Sequence, residues 1–184
     1  MRLFVGIPLP AGVIEELSAI SMRLRSSDDG LRWSTPESWH ITLQFLGNTP
    51  QYECIMAQLR ELRSPAVAVQ LEGLGLFERA GIFFAGVRLT PQLATLQENV
   101  TAATSLCGFV PETRPYHPHI TLARSKKKGA RGLRDLKNRI HREPAFTHFV
   151  AETIALYESQ VRPGGSHYEI REQFRLTGRN IPTP

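Results

Sequence analysis

Apolar residues recur along this chain with two periods, and the exchange between them sets the expected order of elements. Residues 2–8 (Arg-Leu-Phe-Val-Gly-Ile-Pro) read as a strand. Val13, Leu17, Ile20 and Leu24 then advance by four, three and four positions, which is one face of a helix from about Pro10 to Arg25. Asp28-Asp29-Gly30 marks a turn, and Trp39 to Leu46 is a β-rich run. Thr49-Pro50 has the form of an N-cap with proline at the first helical position, and Ile55, Leu59 and Leu62 carry that helix forward. Strands are expected near 66–77 and 81–89, turning about Gly81. Thr90-Pro91 repeats the cap-plus-proline signal, with Leu93, Leu96, Val100 and Cys107 as the apolar stripe. A strand carries His119 to Arg124, and a basic amphipathic helix follows with Leu133, Leu136 and Ile140 inward. Residues 148–160 and 166–176 read as a hairpin about Pro163-Gly164-Gly165. Strands joined by short turns favour an α+β fold with antiparallel sheets over a doubly wound parallel one. No low-complexity linker divides the chain, so residues 1–184 are expected to form one domain.

Composition narrows the class. The 184 residues are 41% hydrophobic and 21% charged, which fits a soluble globular protein. The apolar runs are too short for a membrane span, and the N-terminus lacks the long apolar core of a signal peptide. Cys54 and Cys107 fall in expected helices, at a spacing that suits neither a zinc site nor a disulfide framework. Reduced thiols and a cytoplasmic location are the expectation. The net charge of +5 is unevenly placed: Lys126 to Arg142 holds eight Lys or Arg and one acid, a local +7 that leaves −2 for the rest. That concentration points to an anionic partner.

One feature stands above composition. His40-Ile41-Thr42-Leu43 recurs unchanged as His119-Ile120-Thr121-Leu122. Residues i and i+2 of a strand share a face, so each copy presents an imidazole and a hydroxyl on one side and anchors Ile and Leu on the other. A duplicated half-domain about a pseudo-twofold would bring the two His-Thr pairs face to face across a groove. Hydrolysis of a cyclic phosphodiester needs a base on the attacking water and an acid on the leaving oxygen, on opposite sides of phosphorus. Histidine can fill either role near neutral pH. The hydroxyls of Thr42 and Thr121 can donate to the non-bridging oxygens.

The chain resembles the two-histidine (2H) phosphoesterases, and within them the bacterial RNA 2′,3′-cyclic phosphodiesterases, also called 2′-5′ RNA ligases. Two His-x-Thr-x motifs with apolar x carry the resemblance. So do their contexts: Arg2 to Pro10, Arg32-Trp33, His40 to Gly47, Arg114 to Arg124, Tyr157-Glu158-Ser159 and Gly165-Ser166-His167-Tyr168. The resemblance implies a bilobal α+β domain, two pseudo-symmetric lobes whose antiparallel sheets face a central groove with helices outside. It implies His40 as the acid that protonates the departing 3′ oxygen, His119 as the base that activates water, and a 2′-phosphate product. An RNA 5′-hydroxyl in place of water would give a 2′-5′ linkage. Thr42 and Thr121 would hold phosphate oxygens. Arg124 matches a phosphate-contacting position of the family, and Phe45 one that packs against a base. The implied partner is RNA with a 2′,3′-cyclic phosphate end, tRNA fragments among the candidates; a monomer is the default expectation, and no cofactor is expected.

Other residues weigh less. His117-Pro118-His119 resembles a metal-ligand pair, but no nearby Cys, Asp or Glu completes a set, so a metal-independent site is expected and His117 at the groove edge or in solvent. His141, His148 and His167 carry no partner logic. Trp33 and Trp39 read as core rather than as base-stacking platforms. The basic stretch, which follows directly on Arg124, is expected to hold the RNA backbone upstream of the cyclic end. No phosphate-binding Gly-rich loop ending in Lys-Ser or Lys-Thr is present, so triphosphate hydrolysis is not indicated. Two competing readings remain: an RNA-binding protein with a vestigial site, and the same fold acting on ADP-ribose 1″,2″-cyclic phosphate or 2′-5′ oligonucleotides.

Overall fold

The computed structural model describes residues 1–27, 29–126, 131–140, 144–162 and 165–178. In chain order they form β1 (Arg2–Pro8), α1 (Ala11–Leu24), β2 (Leu31–Trp33), β3 (His40–Asn48), α2 (Tyr52–Glu61), β4 (Val67–Val69), β5 (Leu71–Phe77), β6 (Ile82–Val87), α3 (Pro91–Ser105), β7 (His119–Ser125), α4 (Arg131–Arg139), β8 (Phe149–Ala151), β9 (Thr153–Arg162) and β10 (Gly165–Arg175). One sheet has the order β10-β9-β1-β3, a second β2-β7-β6-β5, and β4 pairs with β8. Every pairing is antiparallel, so the fold is α+β.

The order of elements repeats. β1-α1-β3-α2-β4-β5 is matched by β6-α3-β7-α4-β8-β9, and the two halves exchange strands. β5 of the first half completes the sheet of β6 and β7, while β9 of the second completes the sheet of β1 and β3. β4 and β8 pair across the exchange, and β2 crosses to flank β7. Each half therefore lacks a sheet neighbour that the other supplies.

The apolar patterns explain the packing. α1 buries Val13, Leu17, Ile20 and Leu24, the stripe expected from spacing alone. α3 begins as its sequence signals: Thr90 Oγ1 accepts from the Leu93 amide at 3.2 Å and proline opens the first turn. Thr49-Pro50 behaves differently. Thr49 Oγ1 accepts from the Gln51 amide, a local turn, and α2 starts only at Tyr52 without a side-chain cap. The expected strands over 66–77 and 148–160 each break after three residues. The short pieces β4 and β8 bridge the halves, and the longer pieces β5 and β9 join the main sheets. One continuous core runs beneath both sheets. It includes Ile7, Leu17, Ile41, Leu59, Phe83, Leu96, Ile120 and Leu156, each at most 1% exposed. The hairpin tip at Pro163-Gly164 lies outside the described residues, as do Lys127, Lys128, His141 and Arg142 of the basic stretch.

The cysteine expectation is overturned. Cys54, in α2, and Cys107, in the turn after α3, form a disulfide with their Cα atoms 5.9 Å apart. The sequence spacing of 53 residues gives no hint, because the pairing follows from α2 packing on α3 rather than from any local motif.

Candidate active site

The two His-Thr motifs open β3 and β7, strands that pack against one another where the two halves meet. Ile41, Leu43, Ile120 and Leu122 are buried in the core, as alternation requires, and His40, Thr42, His119 and Thr121 are half-buried on the opposite face. A regular strand would place the fifth residue after each histidine on the core side. Both strands carry a bulge instead. Register slips between Thr42 and Gln44 on β3, and between Thr121 and Ala123 on β7. Leu43 with Gln44, and Leu122 with Ala123, are consecutive buried pairs, and Phe45 and Arg124 return to the histidine face. The bulges are braced. Gln97 of α3 donates to the Leu43 carbonyl at 3.4 Å, and the Ser34 amide donates to the Leu122 carbonyl at 2.8 Å.

Each imidazole is fixed the same way. His40 Nδ1 lies 2.8 Å from the Ser38 carbonyl, and His119 Nδ1 lies 2.8 Å from the His117 carbonyl. A carbonyl only accepts, so Nδ1 carries the hydrogen in both rings. Nε2 is then the atom left to take or give a proton. His117 itself is exposed, and its backbone oxygen is what the site uses.

The rings sit in different cages. His40 stands over Phe4 at 4.5 Å, beside Tyr157 at 5.3 Å, with Tyr168 edge-on at 5.0 Å. Gly6 makes room for it: a Cβ there would come 2.8 Å from the Ile41 carbonyl and 3.6 Å from the His40 ring. His119 meets the edges of Phe77 and Phe84 at 5.0 and 5.4 Å. Those two rings stack at 4.2 Å, and Phe84 lies flat across Gly75, where a Cβ would collide with it at 2.4 Å.

Burial pushes the His40 imidazole down to about 4, opposed by its hydrogen bond to Ser38 and helped by the fields of His119 and Arg124. Burial also lowers His119, opposed by the His117 carbonyl and assisted by Arg124 and His117. Arg124 thus acts on both histidines, and His119 acts on His40: the three share one electrostatic site. Phe45 is 60% exposed at the Phe4 edge of the same face, with the rings 5.9 Å apart. Tyr116 ties the motifs together, its hydroxyl donating to the Thr42 carbonyl at 2.9 Å from three residues before His119. Burial raises that phenol above its ordinary value and keeps it a donor.

The aromatic cage and Tyr116 escape a reading of the sequence. Phe4 is legible in principle, since it shares the parity of Gly6 and Pro8 rather than that of the core residues Leu3, Val5 and Ile7. Tyr157 and Tyr168 read only as hairpin residues, and nothing in the sequence shows that β9 and β10 reach His40. Trp39 is buried, and Trp33 packs edge-on to Phe83 with its indole donating to Asp29 at 2.8 Å, so both serve the core. Among the described residues no group of three or more His, Cys, Asp or Glu is arranged to hold a metal ion.

A duplicated α+β fold with one His-x-Thr strand in each half defines a class, and similarity to known proteins names it. The sequence profile of the 2′-5′ RNA ligase superfamily matches residues 12–162, and the chain belongs to that family. It is 33% identical to the RNA 2′,3′-cyclic phosphodiesterase of Geobacillus stearothermophilus, over 95% of this chain and 57% of that protein. It is 27% identical to the Methanocaldococcus jannaschii protein of the same name, over 95% of this chain and all of that one. Among solved structures, a Thermus thermophilus protein superposes with a TM-score of 0.80 at 28% identity, covering 98% of this chain and 100% of the other. Escherichia coli LigT complexed with 3′-AMP superposes with the same score at 25% identity, covering 96% and 98%.

Proposed function

We propose that this protein hydrolyses 2′,3′-cyclic phosphate ends of RNA to 2′-phosphomonoesters, with His40 and His119 as the acid–base pair. The observation that carries the reading is the matched presentation of two imidazoles from equivalent strands, each with Nδ1 held by a carbonyl and Nε2 left for proton transfer. The family, and relatives that are RNA 2′,3′-cyclic phosphodiesterases, support the substrate class.

In the reaction one imidazole Nε2 takes a proton from water as the water oxygen bonds to phosphorus. The P–O3′ bond breaks, and the other imidazole delivers a proton to O3′. The resemblance gives the acid role to His40 and the base role to His119. Thr42 and Thr121, whose hydroxyls make no hydrogen bond to described residues, donate to the non-bridging oxygens. Arg124 neutralises the charge that gathers there. Phe45 offers an exposed ring to the terminal base. With an RNA 5′-hydroxyl as the attacking group, the same atoms form a 2′-5′ linkage.

We further assign the protein to act as a monomer in the cytoplasm, on RNA ends that include tRNA fragments. The disulfide withdraws the support that free thiols would have lent to the compartment, so the location rests on the substrate. No helix of the described residues is long and apolar enough to cross a membrane.

The test is product analysis. RNA ending in a 2′,3′-cyclic phosphate should be converted to a 2′-phosphate end, and His40→Ala or His119→Ala should each lower kcat by about 10²–10⁴-fold with the fold intact. Undiminished turnover by either variant would refute the pair. A product phosphorylated at the 3′ position would refute the assigned leaving group. Faster turnover of ADP-ribose 1″,2″-cyclic phosphate would move the substrate class.

A further inference from the structure

Arg124 has a neighbour that the reaction does not use. On the β2–β7 ladder Arg32 is its direct partner, and residues directly opposite one another on adjacent strands share a face. Two cations in that position repel, and such pairs are destabilising. Neither forms an ion pair with a described residue. A cleft of about 310 Å³ opens beside Arg32, at the end of α1, lined by Arg25, Asp29, Trp33 and Lys126 among others. Arg25, Arg32 and Lys126 are all exposed, and Arg25 and Lys126 also lack a described carboxylate partner.

The acid in the cleft does not neutralise these charges. The Asp29 carboxylate accepts from the amides of Ser26 at 3.1 Å and Leu31 at 2.9 Å, and from the Trp33 indole at 2.8 Å. Burial works to raise its pKa, but those hydrogen bonds and the field of Arg139 hold it below the ordinary carboxylate value. Its lone pairs build the loop that shapes the cleft. α4 lies directly on that loop, because Gly132 has no Cβ to strike the Asp29 carbonyl, which would be only 1.9 Å away. Arg139 of α4 thus comes close enough for its field to act on the Asp29 carboxylate.

We propose that the cleft formed by Arg25, Arg32 and Lys126, continuous with Arg124 across the β2–β7 pair, is a subsite for the phosphodiester backbone of nucleotides upstream of the reacting RNA end. The assignment rests on the RNA reading above and extends it to the chain behind the terminal nucleotide. A backbone phosphate between Arg32 and Arg124 turns their repulsion into shared attraction. Base selection is absent from the subsite. The cleft's aromatic group, Trp33, is committed to Asp29 and Phe83, and Arg25 lies 5.6 Å from its ring. The subsite therefore tracks phosphates without reading sequence.

The experiment compares two substrates and one binding measurement. Kinetics are taken on uridine 2′,3′-cyclic phosphate and on a hexaribonucleotide ending in 2′,3′-cyclic phosphate. Binding of a labelled hexaribonucleotide without the cyclic end is followed by fluorescence anisotropy across a salt series. In the wild type the hexamer should have the lower KM. In the Arg25→Ala/Arg32→Ala/Lys126→Ala variant the KM advantage of the hexamer over the mononucleotide should shrink at least tenfold. The slope of log K against log salt should flatten by about 2, at roughly 0.7 per lost phosphate contact. Arg63→Ala, which removes a charge from the loop after α2, should leave both quantities as in the wild type. An unaltered KM ratio and salt slope in the triple variant would overturn the subsite. A wild type that turns over neither substrate would overturn the phosphodiesterase reading instead, and the anisotropy series would still decide the cleft.

Discussion

Replacing His40 with Asn should flatten the acid side of the protein's stability profile. In the folded chain His40 takes a proton only near pH 4, because burial among Phe4, Tyr157 and Tyr168 penalises the imidazolium, whereas an unfolded histidine takes one near 6.5. Between those values the unfolded state binds the additional proton. Stability is then lost as pH falls through the window, and nothing is lost above it. The full penalty for a depression from 6.5 to about 4 is about 3 kcal/mol, of which about 2 kcal/mol has developed by pH 5. Asn keeps an amide N–H that can donate to the Ser38 carbonyl and has no titration in this range.

Urea unfolding at pH 7.5 and pH 5 reads the effect. The wild type should lose about 2 kcal/mol more than His40→Asn between the two conditions, roughly 1 M in the urea midpoint. His119 contributes to both proteins and largely cancels in the comparison. Inorganic phosphate bound between the rings favours the imidazolium, so millimolar phosphate should shrink the difference. Equal losses in the two proteins, with or without phosphate, would show that His40 titrates normally and that its cage does not desolvate it.

Two further outcomes follow from covalent and steric features of the fold. Reducing the Cys54–Cys107 bond, or replacing both residues with Ser, releases a loop of 53 residues in the unfolded chain and should lower stability by up to about 4 kcal/mol, measurable as a fall in the urea midpoint. Gly6→Ala should cost about 1–3 kcal/mol and depress kcat, because the new Cβ drives against the Ile41 carbonyl at 2.8 Å, while Gly12→Ala, with nothing within 4 Å, should unfold no more easily than wild type.

The elements legible in the sequence are those whose signal is local. The α1 stripe, the Thr90-Pro91 cap and the two His-Thr faces each follow from spacing, because a helix face or a strand face is defined by a few consecutive residues. What stays hidden depends on partners distant in the chain. β2 is three residues long and exists because β7 offers an edge to it. The breaks at Gln70 and Glu152 arise from β4 and β8 pairing with each other, which neither segment can announce alone. Cys54 meets Cys107 through helix packing. The bulges are the sharpest case. Resemblance names Phe45 and Arg124, yet their odd offset from each histidine would bury them in an ideal strand. The extra residue in each ladder, read only from register, returns them to the site.

The same duplication that supplies two equivalent imidazoles also leaves open which of them is the acid, and the cages break that equivalence. His40 is enclosed by three aromatic rings from β1, β9 and β10, His119 by two from β5 and β6. Burial disfavours the cation in both, and Arg124 adds to the penalty at both. At neutral pH the free site is therefore short of the one proton that acid–base hydrolysis needs. A phosphate anion seated between the rings and against Arg124 reverses the balance, since its charge offsets the guanidinium and favours imidazolium on whichever Nε2 faces the leaving oxygen. On the proposed mechanism the acid is charged with its proton only when substrate is in place. An aromatic enclosure that desolvates His40 then serves catalysis by making the proton transfer to O3′ downhill, because a buried imidazolium gives up its proton more readily than a solvated one.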